Sequence, residues 1–143
     1  MHNKNHKNNA NHKLPIDAVI PWVDGNDEKH YSKMLPYLED KSLIQSEKFR
    51  TRFAHVNEIK YAVDSILKFA PFIRNIYIVT DKQTPDFITN VSHAEFYNKV
   101  TIIDHSLIFS GYEIYLPTFN NRPIDTCLNR IPNLAEHFVY FID

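Results

Sequence analysis

The amino-acid sequence predicts a single α/β domain built around a mainly parallel sheet. Two observations lead to this prediction: strand-like segments alternate with helix-like segments, and the strand-like segments are almost entirely apolar. Apolar strands are typical of a parallel sheet that helices cover on both faces. The length of 143 residues is that of one domain.

The composition narrows the classes of function. There are 16 Lys and Arg side chains against 17 Asp and Glu, and this balance lacks the basic excess of a nucleic-acid-binding protein. Because Cys127 is the single cysteine, the sequence forms neither an internal disulfide nor a cysteine zinc site. No apolar run approaches the ~20 residues of a membrane span, and no signal-peptide core is present, which predicts a cytoplasmic location.

The first 13 residues differ in composition from the rest of the chain. They are rich in Asn, His and Lys and contain almost no apolar side chains. Such a segment buries too little surface to offset its ordering entropy, so residues 1–13 are predicted to be a disordered tail. A histidine-rich metal tract is the alternative. The folded domain is therefore expected over residues 14–143.

The first part of the domain reads as a strand followed by a helix. Residues 16–23 are an apolar run, and Pro21 requires that strand either to bulge or to have a free side. A turn at Asp24 and Gly25 follows. Residues 27–40 then read as a helix, with a break or kink expected at Pro36. Its apolar side chains are spaced for one face: Tyr31, Met34, Leu35 and Leu38.

The remaining elements continue the alternation. The clearest helix is predicted over residues 57–70, where apolar side chains form one stripe, Asn57 is placed to cap the start and Pro71 marks the end. The later segments are a strand at 75–80, a short helix at 85–89, a strand at 99–103, a helix at 120–130 and a strand at 137–143.

Each of the four predicted strands ends in an aspartate: Asp24, Asp81, Asp104 and Asp143. The carboxyl ends of parallel strands share one edge of the sheet, and open α/β sheets bind ligands there. Carboxylates so close together repel one another unless a cation or a proton intervenes, and Mg²⁺ or Mn²⁺ suits such oxygen ligands. With only 2 glycines the chain has no glycine-rich phosphate loop, so a cation could take over that role. The alternative is that these aspartates only cap helices.

Three other side chains are candidates for the same edge. His105 follows a strand end, where a histidine can act as acid, base or phosphate donor, or simply make a structural hydrogen bond. Trp22 can stack on a base or a sugar, or belong to the core. Arg130 lies on the helix that leads into the last strand, where it can contact phosphate or remain a surface charge.

Four stretches, covering most of residues 16–143, are specific in combination: IDAVIPWVDGND (16–27), RFAHVNEIKYAVDSILKFAPFIRNIYIVTDKQTP (52–85), VTIIDHSLIF (100–109) and LPTFNNRPIDTCLNRIPNLAEHFVYFID (116–143). In this order they resemble the Stealth family, the hexose-1-phosphate transferases of capsular polysaccharide synthesis. That family is related to the animal enzyme that phosphorylates lysosomal glycoproteins. The resemblance implies a Rossmann-like, nucleotide-sugar-transferase-like domain of which this chain is the N-terminal part, apparently incomplete at its C-terminus.

The resemblance also implies a reaction and a set of site residues. The reaction is transfer of a sugar phosphate from a nucleotide sugar to an acceptor hydroxyl, with release of nucleoside monophosphate and dependence on a divalent metal. By motif position, six residues match acidic, basic or histidine positions of the family: Asp24, Arg52, Glu58, His105, Arg130 and Asp143. Together with the strand-end pattern, this predicts catalytic roles for Asp24, His105 and Arg130, metal binding by Asp104 and Asp143, and substrate binding by Trp22, Arg52, Glu58, Asp81 and Asn120.

The sequence departs from the family pattern at a few positions. These are His55 and Val56 in place of Asp-Asn, Asp125 in place of Glu, Asn129 in place of His, and Ile142 in place of Asn. A divergent subgroup with a different transfer reaction is one interpretation of these changes. The other open alternatives are a nucleotide-sugar glycosyltransferase and an inactive fragment that binds only ligand or a partner chain.

The expected partners follow from this interpretation. They are a nucleotide-sugar donor and a glycan acceptor, without nucleic acid and without a transmembrane segment. A cytoplasmic protein of this kind can lie at the inner face of the membrane and associate with membrane-bound capsule machinery.

Overall fold

The computed structural model describes residues 13–42, 46, 57–89 and 95–141. These residues form a 4-stranded sheet with flanking helices, and every strand pairs in parallel. The strands are β1 (Ile16–Pro21), β2 (Ile73–Thr80), β3 (Val100–Asp104) and β4 (His137–Tyr140), in the spatial order β3-β2-β1-β4. The predicted α/β class with a parallel sheet is confirmed.

Five helices connect the strands of the described chain: α1 (Glu28–Met34), α2 (Glu58–Phe69), α3 (Asp86–Thr89), α4 (His105–Ile108) and α5 (Asn121–Cys127). The break predicted at Pro36 is confirmed, because α1 ends at Met34 and a 3₁₀ turn with the proline at its start follows. The helix predicted over 120–130 likewise ends at Cys127 and continues as a 3₁₀ turn. None of the described helices is long and apolar enough to cross a bilayer.

The strand order creates a crevice at one edge of the sheet. The chain builds from β1 through β2 to β3 on one side and then crosses back to place β4 on the other side of β1. Such a reversal of direction leaves an opening outside the carboxyl ends of the two strands between which the order reverses, and open α/β sheets bind ligands there. In this protein the opening lies beyond the ends of β1 and β4.

Pro21 occupies the end of β1 without disturbing the ladder. It pairs with Val79 of β2, and the next amide, that of Trp22, donates to the Val79 carbonyl at 2.8 Å. Because amides alternate between neighbours along a strand, the nitrogen of Pro21 faces the β4 side. Pairing there ends at Val19 and Tyr140 among the described residues. The free side that the sequence analysis offered as one arrangement for Pro21 stays a prediction, because residues 142–143, which follow this end of β4, lie outside the described residues.

The sheet is covered on both faces by alternate residues of the strands. One face of β1 and β2 packs against α2 through Ala18, Ile20, Ile76 and Ile78, which meet Ile59 and Val63. The opposite face packs Val19, Tyr77 and Val79 against α4, α5 and the turns that follow them. The edge strand β4 differs, since Phe138 and Val139 are 37% and 42% exposed. Burial on both faces thus holds for the central strands and not for β4.

Some element boundaries and one cap differ from the prediction. The first strand ends at Pro21 instead of residue 23, because the chain turns toward α1 through the Asp24 loop. Asn57 stands at the start of α2 as predicted, but its backbone is left-handed at φ 64° and its side chain caps no helix amide. A side-chain cap requires an extended backbone, so the expected hydrogen bond from Asn57 is wrong. Residues 1–12 of the predicted tail lie outside the described residues.

A buried ion pair fixes the opposite, amino edge of the sheet. Asp17 of β1 is 0% exposed and accepts hydrogen bonds from Arg74 of β2 at 3.0 Å and 2.7 Å. Its carboxylate also accepts from the backbone amides of Asn75 at 3.1 Å and Ala135 at 2.8 Å. Burial raises the pKa of Asp17, but Arg74 and the two amides together bring that pKa below its ordinary value. One carboxylate thereby joins β1, β2 and the segment before β4.

Candidate functional site

The loop after β2 connects the ends of three neighbouring strands. It contains Asp81, Lys82 and Gln83, and Lys82 donates its amide to the Asp104 carboxylate at 2.6 Å. On the other side Gln83 hydrogen bonds to the Asp24 backbone. Asp24, Asp81 and Asp104 therefore lie at one edge, as the parallel arrangement predicts.

Asp24 follows β1 in a tight turn that its own side chain helps to form. Its Oδ1 accepts the amide of Asn26 at 2.9 Å, which is the usual local bond of an aspartate in a turn. Gln83 holds the same residue from the neighbouring loop: its Oε1 accepts the Asp24 amide at 2.8 Å and its Nε2 donates to the Asp24 carbonyl at 3.1 Å. The half-buried Asp24 side chain keeps Oδ2 without a hydrogen-bond donor among the described residues.

Helix α1 begins next to this turn and is attached to the same loop. Asp27 caps α1 by accepting the Lys29 amide at 2.9 Å on Oδ1, while Oδ2 accepts from Gln83 Nε2 at 2.9 Å. These bonds, with that of Gln83 the largest, lower the pKa of Asp27. Asp27 is therefore a stable anion at the start of α1.

Asp81 lies between two side chains of α1. Lys33 donates to its Oδ2 at 2.9 Å, and His30 Nδ1 lies 3.5 Å from the same oxygen. His30 is 4% exposed, its ring meets Phe119 edge-on at 5.6 Å, and Nδ1 has no hydrogen-bond partner within the described part of the chain. Through Phe119 the segment before α5 also reaches this edge.

Asp104 and His105 end β3 and start α4. The Asp104 carboxylate caps α4 by accepting the Ser106 amide at 2.9 Å and the Ser106 hydroxyl. Burial raises the pKa of Asp104, but the donors from Ser106 and Lys82 bring it below its ordinary value. His105 is 3% exposed, and burial lowers its pKa although Asp81 and Asp104 act in the opposite direction. His105 is therefore a neutral imidazole near pH 7.

The other predicted site residues lie in different surroundings. Arg130 is exposed, donates to the Ser110 carbonyl at 2.5 Å and stacks over the Tyr112 ring at 5.1 Å, and these contacts do not bring it to the carboxylates. Asn120 caps α5 by accepting the Arg122 amide at 3.0 Å. Trp22 is half-buried and packs against the core on the α2 face, and Glu58 is exposed in the first turn of α2. Arg52 and Asp143 lie outside the described residues.

The described side chains do not by themselves form a metal centre. No group of three or more His, Cys, Asp or Glu is arranged to hold a cation in the ranges that the structure describes. Both oxygens of Asp104 already accept hydrogen bonds, from Ser106 and from Lys82. The Asp24 Oδ2 atom is better placed to accept a ligand. Metal binding by Asp104 and Asp143 stays a prediction.

A cavity of about 600 Å³ lies apart from these carboxylates, between α2 and α3. Its polar wall is a network in which Tyr97 donates to Asp64 at 2.9 Å and Lys60 donates to Asp64 at 2.5 Å. None of the predicted site residues lines this cavity. We therefore identify the candidate site by the convergence of loops at the carboxyl edge and not by cavity volume.

Three residues of this edge were not found by sequence reasoning: His30, Lys33 and Gln83. The signal for Gln83 was its position two residues after a strand-terminal aspartate. The signal for His30 was weaker, because Tyr31, Met34, Leu35 and Leu38 suggested a different inward face for α1. The observed buried positions are His30 and Met34, spaced i and i+4.

Comparison with known proteins finds two family models and several similar proteins that match most of the described chain. The protein-family model described as Stealth protein CR2, conserved region 2, matches residues 52–143. The family model of Stealth protein CR1, conserved region 1, matches residues 14–42. The chain is similar to the capsular polysaccharide phosphotransferase LcbA of Aeromonas hydrophila, with 41% identity over 91% of this chain and 35% of that protein. It is similar to fcs1 of Haemophilus influenzae, also named a capsular polysaccharide phosphotransferase, with 40% identity over 93% of this chain and 35% of the relative.

A more distant relative carries a related name. The exopolysaccharide phosphotransferase cps2G of Lactiplantibacillus plantarum is 38% identical over 90% of this chain and 35% of its own length. The chain spans about a third of the length of the curated relatives it matches.

Proposed function

This chain belongs to the Stealth family, and we propose on that basis that the protein transfers a sugar 1-phosphate from a nucleotide sugar to a hydroxyl of a glycan acceptor in the synthesis of capsular or other cell-surface polysaccharide. The observation that carries the proposal is the sequence identity of 38–41% over about nine-tenths of this chain to proteins named capsular or exopolysaccharide phosphotransferases. The convergence of Asp24, Asp81 and His105 at the carboxyl edge supports it, since this is where ligands bind to such sheets.

The reaction needs a group that removes a proton from the acceptor hydroxyl. The hydroxyl oxygen forms a bond to the phosphorus that carries the sugar, and the bond from that phosphorus to the bridging oxygen breaks, so nucleoside monophosphate leaves with the electron pair. Asp24 is our candidate for the base, because its backbone is held on both sides and its Oδ2 atom accepts no described hydrogen bond. His105 is the second candidate, because its lowered pKa leaves the imidazole neutral and able to accept a proton.

Further residues of the chain are proposed to bind the donor. We propose Trp22, Arg52, Glu58, Asp81 and Asn120 as substrate-binding residues, and Arg130 as a cation for the phosphoryl charge. Arg130 would have to leave its contacts with Ser110 and Tyr112 to do so. A divalent ion, Mg²⁺ or Mn²⁺, would supply charge neutralisation for the diphosphate, with Asp104 and Asp143 as its proposed ligands.

The proposal extends to where the protein acts. A cytoplasmic protein at the inner face of the membrane meets both a nucleotide sugar and a growing glycan. Association with membrane-bound capsule machinery would bring the acceptor to it.

The nucleotide product separates this function from ordinary glycosyl transfer. We would incubate the full-length protein with candidate nucleotide sugars and acceptor glycan and identify the nucleotide by mass spectrometry. Sugar-phosphate transfer releases nucleoside monophosphate, whereas glycosyl transfer releases nucleoside diphosphate. Accumulation of the diphosphate at the rate of acceptor consumption would contradict the proposal.

A further inference from the structure

Gln83 is a buried amide whose hydrogen bonds all go to the segment that contains Asp24. The residue is 8% exposed. Its Oε1 accepts the Asp24 amide at 2.8 Å, and its Nε2 donates to the Asp24 carbonyl at 3.1 Å and to Asp27 Oδ2 at 2.9 Å. A side chain from the loop after β2 thus holds Asp24, in the turn after β1, by hydrogen bonds on both sides of its Cα atom.

This arrangement controls where the Asp24 carboxylate points. The Asp24 amide and carbonyl lie on either side of its Cα, so the two bonds from Gln83 restrict both backbone torsions of that residue. Rotation of the Asp24 side chain is limited by the Asn26 amide, which donates to Oδ1 at 2.9 Å. A reacting group must be held within about 0.5 Å of its working position, and supporting hydrogen bonds of this kind provide that precision.

The third bond of Gln83 ties the same turn to helix α1. Asp27 is the N-cap of α1, and its other oxygen accepts the Lys29 amide at 2.9 Å. The Asp24 turn and the start of α1 are therefore positioned together against the loop after β2.

We propose that Gln83 is a positioning residue for the transfer reaction and acts by holding the Asp24 turn. This proposal rests on the proposed function, because Gln83 affects the chemistry only through Asp24. It assigns no contact between Gln83 and substrate.

Two substitutions and one control separate the hydrogen bonds from the bulk of the side chain. Gln83→Met keeps a similar volume and removes all three bonds. Gln83→Glu keeps an acceptor for the Asp24 amide but places an oxygen against the Asp24 carbonyl and the Asp27 carboxylate. Thr84→Ala alters an exposed neighbour in the same loop and is the matched control.

The kinetic test uses the full-length protein and compares single and double variants. We expect Gln83→Met and Gln83→Glu to lower kcat by ~10-fold or more, with KM for the donor little changed, as for other residues that orient a reacting group. Thr84→Ala should remain at the wild-type rate. In an Asp24→Asn background, where the carboxylate is already lost, Gln83→Met should cause no further loss.

The outcomes test the positioning role separately from the proposed function, which the nucleotide product tests. If Asp24→Asn slows the reaction but Gln83→Met does not, the positioning role is overturned and the proposed function stands. The same conclusion follows if Gln83→Met slows the Asp24→Asn variant by the same factor by which it slows the wild type. If Asp24→Asn retains the wild-type rate, the role of Asp24 fails and the role of Gln83 fails with it.

Amide hydrogen exchange tests the hydrogen bonds between Gln83 and Asp24 without any enzymatic reaction. The Asp24 amide should exchange at least several-fold faster in Gln83→Met than in wild type or Thr84→Ala, since its acceptor is removed. Unchanged exchange at Asp24 in a folded variant would overturn the proposal.

Discussion

Replacing Asp17 with Asn should destabilise the fold strongly, because it removes the negative charge beside Arg74 and leaves two of the four surrounding donors without an acceptor. The Oδ2 atom of Asp17 accepts from Arg74 at 2.7 Å and from the Ala135 amide at 2.8 Å, and Oδ1 accepts from two further donors. Asparagine has one acceptor oxygen, so its NH₂ group would have to face the donors on one of these two sides. Breaking a buried ion pair by removing one partner costs about 3–5 kcal/mol. Because the Arg74 side chain is 42% exposed and can be rehydrated, we reduce this to about 2–4 kcal/mol of unfolding free energy.

The assay is urea unfolding followed by circular dichroism, with Asp86→Asn as the control. Asp86 is exposed in the first turn of α3, so its substitution should stay within about 0.5 kcal/mol of wild type. The pKa of Asp17 is lowered by folding, so its stabilising contribution is complete above the ordinary aspartate pKa of 3.8 and is lost as the pH falls through the lower folded value. The difference between wild type and Asp17→Asn should therefore shrink below about pH 4. A difference no larger than that of Asp86→Asn at neutral pH would refute this reasoning.

Three further predictions concern the site and the termini. Asp24→Asn should reduce turnover by ~10²-fold or more while circular dichroism stays unchanged, and near-wild-type turnover would remove Asp24 from the site. Binding of a nucleotide diphosphate sugar should require Mg²⁺ or Mn²⁺, so calorimetry with a chelator should show lost affinity, and equal binding without metal would contradict the strand-end metal prediction. Deleting residues 1–13 should change the unfolding free energy by no more than about 0.5 kcal/mol, because the segment lacks apolar side chains, and a loss of several degrees in Tm would show that it packs on the domain.

The sheet and its acidic edge could be predicted because they depend on local pattern. Continuous apolar runs identify the central strands, and the residue after each run must lie at the carboxyl edge once the strands are parallel. Asp24, Asp81 and Asp104 were placed in this way. Pro36 likewise marks the end of α1 by a local steric rule.

Contacts between distant loops could not be predicted in the same way. Gln83 and Asp24 are 59 residues apart, and Arg74 and Asp17 are 57 apart, so no spacing in the sequence connects them. The position of Arg130 could not be predicted from the sequence either, because a 3₁₀ turn and the cation–π contact with Tyr112 determine where its guanidinium lies. The inward face of α1 was misjudged because its apolar side chains suggested Tyr31, whereas His30 is the buried residue.

The proposed transfer of sugar phosphate is tested most directly by following the phosphate of the donor that carries the sugar. A nucleotide sugar labelled with ³²P at the phosphate that carries the sugar would be incubated with acceptor glycan and the full-length protein, alongside Asp24→Asn. Sugar-phosphate transfer predicts that the label moves into the glycan with wild-type protein and is strongly reduced with Asp24→Asn. Label that remains in nucleoside diphosphate while unlabelled sugar enters the glycan would contradict the account.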